Sequence, residues 1–302
     1  MAVQPSEAAI VGAMRACFPL WLLLLPLAGC PKPQVLRPYP APPATELLAQ
    51  VRDNLQQVQS IKLYGKADVP DPEGGRVKLD ISVAVQRPAQ LRLSAENTLA
   101  GPLLTLATDG QRFQLLDTQN NRYLSSVVTP CSMARLLRVS LPPHMLAEVL
   151  TGGVPLLAGD SLQVESDWDG SGGGREVLRL RDAQGRKQVL LLQASQSGQA
   201  APRFDIVQSE LSNADGQPFL RIRHQRFAAV EVAEGKTPPP RPLRLPKQSE
   251  IADLVGKSEV KLRWKESEVN PTFAAELFYL AQPPGIPSDP DPCVGSLPLA
   301  KP

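Results

Sequence analysis

The chain has 302 residues, 42% of them hydrophobic, enough to bury a sizeable core in one large β-rich domain or two small ones. Net charge is +2, from 32 basic and 30 acidic residues, and aromatic residues make up only 5%. That balance gives no electrostatic case for nucleic-acid binding, and the scarcity of rings argues against a base-stacking platform.

Phe18 to Leu27 is an apolar run preceded by Arg15. It is too short to span a bilayer as a helix and has the length of a secretory h-region. It ends in Leu27-Ala28-Gly29-Cys30, which resembles the lipobox of bacterial lipoproteins. The resemblance implies a signal peptide over 1–29 and acylation of the Cys30 thiol. Acyl chains contribute about 0.8 kcal/mol per buried methylene, so an anchor of more than one chain holds stably to lipid. Pro31 and Lys32 follow Cys30, with no Asp to retain the protein at the inner membrane. The resemblance therefore implies the outer membrane, with the domain facing the periplasm. Residues 30–43 then form the acylated cysteine and a Pro-rich tether, PKPQVLRPYPAPP, read as an extended spacer.

Ala44 to Gln57 predicts an amphipathic helix, with Thr45 as N-cap and Leu47, Leu48, Val51 and Leu55 on one face. After Ser60 the period changes to two. Ile61, Leu63, Gly65, Ala67 and Val69 alternate with polar residues, and after a turn so do Val77, Leu79, Ile81, Val83 and Val85. This predicts a hairpin of half-buried strands. Leu91 and Leu93 open a third strand, Leu104 and Leu106 a fourth, Phe113 to Leu116 a fifth, and Tyr123 starts the next. Met133 to Val139 and Pro143 to Leu150 predict two short helices. Strands resume at Leu162, Val177, Val189, Phe204, Leu220 and Val260. Thr237 to Pro246 reads as a proline-rich connection, and Pro283 to Pro302 as a mobile or surface-hugging tail. About ten strands, few helices and no β-α-β rhythm imply an α+β fold, an antiparallel sheet with helices on one face.

The chemistry of a catalytic site is missing from the sequence. His144 and His224 stand far apart, and HExxH, GxSxG and CxxC do not occur. Gly170 to Gly174 lacks the P-loop lysine and reads as a hairpin loop. Asp167 and Asp169 around Trp168 read as a solvated turn. No cofactor and no metal are expected. Cys131 and Cys293 remain after the signal and anchor cysteines, as one disulfide clamping the tail or as two separate thiols.

Leu91-Arg92-Leu93 is followed by Asn97-Thr98-Leu99-Ala100-Gly101, a second strand, Asp109-Gly110, and Asn120-Asn121-Arg122-Tyr123. Two helices come next with Leu141-Pro142-Pro143 between them, and the end carries Val260 to Trp264, Val269-Asn270-Pro271, Phe273 and Pro284-Gly285. This order resembles the LolB-like members of the LolA/LolB lipoprotein-carrier superfamily, over roughly Ala44 to Gly285. The turn departs from the family's Pro-Leu-Gly, and the chain is longer than is typical.

The resemblance implies a strongly curved antiparallel sheet forming an incomplete β-barrel with a helical lid over 44–285, then a Pro-rich tail at 286–302. It implies an acyl-chain cavity under the sheet and no catalysis. Candidate lining residues are Leu79, Ile81, Val83, Leu91, Leu93, Leu104, Leu106, Phe113, Leu115, Leu136 and Met145, each either cavity wall or ordinary core. Carried over from the family, Leu99 sits on a protruding membrane-insertion turn. The implied partners are the membrane, acylated lipoproteins or lipids, and a LolA-like periplasmic donor, with no nucleic acid. Other uses of such a fold are a free-lipid carrier, an envelope-sensing module, or a structural lipoprotein whose sheet face is filled.

Overall fold

A strand points successive side chains to opposite faces, so alternating polarity makes a sheet with one buried face. In Ser60–Pro70, Ile61, Leu63 and Ala67 are buried while Lys62, Tyr64 and Lys66 are exposed. The computed structural model describes residues 34–71, 74–97, 101–129, 131–132, 139–195, 202–230, 242–291 and 293. Among these the first half of the chain forms α1 (Ala44–Gln56), β1 (Ser60–Pro70), β2 (Arg76–Gln86), β3 (Gln90–Asn97), β4 (Gly101–Thr108), β5 (Arg112–Asp117), β6 (Arg122–Val127) and α2 (Pro143–Leu150). The second half forms β7 (Gln163–Asp169), β8 (Arg175–Arg181), β9 (Lys187–Ser195), β10 (Arg203–Ser212), β11 (Pro218–Ala229), β12 (Arg244–Asp253), β13 (Ser258–Val269) and β14 (Ser288–Asp289).

These fourteen described strands make one sheet, ordered β14-β6-β5-β4-β3-β2-β1-β13-β12-β11-β10-β9-β8-β7. Two runs of sequential hairpins are joined where β13 returns to pair with β1. The sheet does not close, since β14 and β7 end it. Pairings are antiparallel apart from β14, which lies parallel to β6. Hairpin connectivity puts the turns on two opposite rims. The β1–β2, β3–β4, β8–β9, β10–β11 and β12–β13 turns share the upper rim, and the β2–β3, β7–β8, β9–β10 and β11–β12 connections share the lower one. Both helices join the apolar cluster formed by the inward residues of the sheet, α1 beside β7, β8 and β10, and α2 beside β2 and β3.

Three expectations need correction. The sequence reading stops near ten strands in part because it treats Thr237 to Pro246 as a connection and assigns nothing between it and Val260. In fact β12 occupies Arg244–Asp253. Proline cannot donate to a ladder, but β12 meets β13 only from Gln248 onward, so Pro246 lies outside that ladder. Pro43, not Thr45, holds the N-cap position of α1, its carbonyl accepting the Leu47 amide at 3.0 Å. Of the two alternatives for the C-terminal tail, its described part takes the surface-hugging one, after a segment that is itself tied down. Arg92 donates to the Leu277 carbonyl at 3.1 Å and Tyr123 to that of Leu280 at 2.8 Å. Ser288–Asp289 then covers the β6 edge, and Cys293 is joined to Cys131 by a disulfide. Of the predicted helix Met133 to Val139, residues 133–138 lie outside the described residues, and Val139 is buried.

The third correction concerns the tether. Residues 34–43 lie against the sheet as a strap at the lower rim. The Val35 amide donates to the Gly170 carbonyl at 2.9 Å, and the Trp168 indole donates to the Val35 carbonyl at 2.8 Å. Arg37 stacks over Trp168 with 5.2 Å to the ring centroid. Its guanidinium also grips the fully buried Glu176, with Nη2 to Oε2 at 3.0 Å and Nε to Oε1 at 2.8 Å. Tyr39 meets Phe204 edge-on at 5.8 Å. Dense proline therefore reports an extended backbone here, while Val35, Arg37 and Tyr39 between the prolines supply the contacts.

Removing one partner of a buried ion pair leaves the other uncompensated. Arg37→Ala should therefore lower the unfolding free energy by about 3–5 kcal/mol. Denaturant titration measures this, and pairing Arg37→Met with Glu176→Leu should restore most of the loss.

Candidate functional site

Antiparallel partners share a face, so inward side chains line up in rows across the ladder. One row reads Leu63, Val83, Leu93, Leu106 and Leu115. The next row toward the lower rim reads Ile61, Val85, Leu91, Thr108 and Phe113. Toward the upper rim the row is Gly65, Ile81, Ala95 and Leu104, followed by Ala67 with Leu79 and Val69 with Val77. The lower rows are filled with branched or aromatic side chains. The upper ones contain Gly65, Ala67 and Ala95, which contribute no side chain or a single methyl.

This difference in volume opens a cavity of about 270 Å³. Its walls come from Ala67, Val69, Leu79, Ile81, Val83, Leu93, Ala95 and Leu104 on β1–β4, from Ile251, Val260 and Leu262 on β12 and β13, and from Leu146 and Leu150 on α2. Asp71, at the upper rim, is the one charged group among the described lining residues. Six neighbouring strands, β4 through β12, thus border one small space. Laid flat they would spread over about 24 Å, so the sheet is strongly bent around this point.

Burial shows which way the cavity opens. Val69, Pro70, Asp71, Val77 and Leu79 are half-buried, Ile81 and Val83 are 2% exposed, and Val85 and Leu91 are fully buried. The mouth is at the upper rim and the floor faces the lower one.

Of the residues singled out from sequence, Leu79, Ile81, Val83, Leu93 and Leu104 line the cavity. Leu91 and Leu106 are packed core, outside the lining. Phe113 and Leu115 border a separate cleft of mixed polar and apolar walls beside Arg122 and Asp289. Met145 packs against the core while its neighbour Leu146 reaches the cavity. Cys30, Leu99 and Leu136 lie outside the described residues. Sequence reasoning missed Ala67 and Ala95 as lining residues, although small residues at inward strand positions are a readable sign of space. It missed Ile251 because it assigned no strand there.

On the other half of the sheet the inner face is filled, and polar pins hold the filling. Gln188 of β9 accepts the Leu157 amide at 2.9 Å and donates to the Pro155 carbonyl at 2.6 Å and the Ser209 hydroxyl at 2.9 Å. His224 of β11 is buried, with Nε2 2.7 Å from the Gly153 carbonyl and Nδ1 2.9 Å from the Ser249 hydroxyl. Burial pushes the imidazole down to about 4, against the pull of the Gly153 carbonyl. The neutral ring therefore donates from Nε2 and accepts at Nδ1. Because Gly153 lies three residues past the end of α2, these pins help set where Leu146 and Leu150 cover the cavity. Among the described residues, no group of three or more His, Cys, Asp or Glu side chains is placed to hold a metal ion, and no helix is long and apolar enough to cross a membrane.

No family model matches the sequence, and no curated protein matches it. Among solved structures, the chain is similar to a DUF1329 family protein from Desulfovibrio piger, at 8% identity and a TM-score of 0.50, covering 79% of this chain and 98% of that one. It is also similar to a LolA superfamily protein from Nitrosomonas europaea, at 11% identity and a TM-score of 0.48, covering 80% and 99%. A third, described as an outer membrane lipoprotein-sorting protein domain from Vibrio parahaemolyticus, has 7% identity and a TM-score of 0.45, covering 78% and 97%. The likeness to the Desulfovibrio protein is one of fold.

The buried imidazole makes stability depend on pH. Below about pH 6.5 the unfolded chain protonates His224, whereas the folded chain does not until about pH 4. Its contribution is complete above pH 6.5 and is lost as pH falls toward 4. Glu148 and Asp205, raised chiefly by burial, act in the opposite sense, but they are common to wild type and mutant. Wild type should therefore lose about 1 kcal/mol per pH unit relative to His224→Gln across this window. Denaturant midpoints measured from pH 7 to 4 provide the check, and parallel curves would reject it.

Proposed function

We propose that this domain shelters an acyl chain under its bent sheet and belongs to a membrane-anchored lipoprotein that receives or inserts acylated proteins at the outer membrane. The observation that carries the reading is the apolar cavity open at one rim. A hydrocarbon chain entering it gains about 25 cal/mol per Å² of apolar surface removed from water. That gain needs no polar partner and no reacting group, so we assign no catalytic step. The buried polar groups His224 and Gln188 already have structural partners.

In this reading Cys30 carries the acyl anchor. The strap enters the domain at the lower rim, whereas the mouth lies at the upper rim. In this reading a LolA-like donor in the periplasm hands its cargo to this mouth. Leu99 falls between Asn97 and Gly101, which pair at the upper rim, and we assign it to insertion of cargo.

Two outcomes test the proposal. Ala95→Phe should fill the cavity and weaken binding of a fluorescent fatty acid by about tenfold or more, the worth of two buried methylenes. The variant should keep a cooperative unfolding transition, with an overpacking loss of about 1–3 kcal/mol. Unchanged binding would remove the cavity from the mechanism. Leu99→Glu should leave folding intact and impair transfer of lipoproteins to membranes. Native mass spectrometry of gently purified protein separates the uses of the fold. Co-purified acylated peptide supports the lipoprotein role, free lipid points to a lipid carrier, and the absence of either points to a structural lipoprotein.

A further inference from the structure

The cavity has a built floor, and the floor has a defined place in the ladder. Val83 and Leu93 are direct cross-strand partners, and both line the cavity. One row deeper, Val85 and Leu91 are also partners, are fully buried and do not line it. The boundary between open and filled space therefore falls between two successive rows. From Val77 at the mouth to Val83 at the floor, β2 advances about 20 Å. The space is long and narrow, and at about 270 Å³ it falls below the ~300–1,000 Å³ of pockets that hold drug-sized ligands.

We infer that the Val83–Leu93 pair, backed by Val85 and Leu91, acts as a stop that sets the longest single unbranched acyl chain the cavity accepts. This rests on the acyl-chain reading above and adds chain-length selection to it. A chain enters methyl end first, because every described lining group except Asp71 at the mouth is apolar or a proline ring. Each methylene that enters is buried until the methyl end meets the stop. Beyond that length further methylenes remain at the half-buried mouth and gain little.

The test is a titration of the whole purified protein with saturated fatty acids from octanoate to stearate. Affinity should rise about fourfold per methylene and then level off at one length. Leu93→Ala should move the break to longer chains by about one or two methylenes, the space given up by the shortened side chain. Val83→Ile should move it to shorter chains by about one. Leu93 is only partly buried, and Val83→Ile adds a single methylene, so at least one variant should remain folded. A series that climbs without a break, or a break that neither variant moves, would overturn the stop. Failure of wild type to bind any member would instead overturn the acyl-chain reading itself.

Discussion

The cavity depends on the register between β1, β2 and β3. Sliding one strand by a single residue would exchange its faces. Lys62, Lys66, Asp80 and Ser82 would turn inward, and the small residues that make room would point to solvent. The β1–β2 ladder runs unbroken from Ser60 opposite Gln86 to Pro70 opposite Arg76. Gly65 adds a second constraint. Its pairing with β13 shifts at Tyr64/Gly65, and a Cβ at Gly65 would collide with the Arg263 carbonyl. The residue thus permits a close backbone approach at the bend, the Arg263 carbonyl taking the space a side chain would need, while the room beside it comes from Ala67 and Ala95. A strand can turn sharply where its inward side chain is absent.

The two halves of the sheet divide the work. On the β8–β11 side, Leu178, Leu190, Leu192 and Ile222 are completely buried, and the segment after α2 is pinned over them by Gln188 and His224. This half is a conventional packed core. On the β1–β4 side, packing is complete only toward the lower rim. A region short of dispersion contacts needs a well-packed neighbour to hold its shape. The strap and the C-terminal segment extend that support outward. The strap fixes the β7–β8 hairpin through Trp168 and Glu176, and β14 covers the exposed edge of β6. An uncovered edge would offer unpaired amides and carbonyls to another chain.

Much of the fold could be read from the sequence, because period two is a local signal. Residues 60–127 carry it almost without interruption, and six strands of the structure lie where the alternation places them. β12 could not be read, because proline before and inside it reads as a loop when pairing is unknown. The strap was hidden for a similar reason, since its contacts are made with residues more than 130 positions away. The cavity was only half legible. Leu91 and Leu93 are two positions apart, share a face and have the same side chain, yet one is packed core and the other is cavity wall. What separates them is their place in the stack of rows. Leu93 adjoins the row of Ile81, Ala95 and Leu104, whereas Leu91 lies one row deeper, among Ile61, Val85 and Phe113. That comparison requires the register, which no single strand contains.

On the acyl-chain reading a carrier must also let go, and the same geometry bounds how tightly it can hold. The wall offers apolar contact but no hydrogen-bond donor or ion pair deep in the space, so affinity for a chain can grow only with the area it buries. The floor caps that area from below. The half-buried mouth caps it from above, because the last methylenes before a head group stay partly wet. Two limits on one apolar term give a binding energy that is appreciable yet finite, and a chain held this way leaves by the path it entered. A deeper or closed pocket of the same composition would bind more strongly and release more slowly. On the acyl-chain reading, the packed rows below Val83 serve transfer as much as stability, because they stop the cavity from becoming a trap.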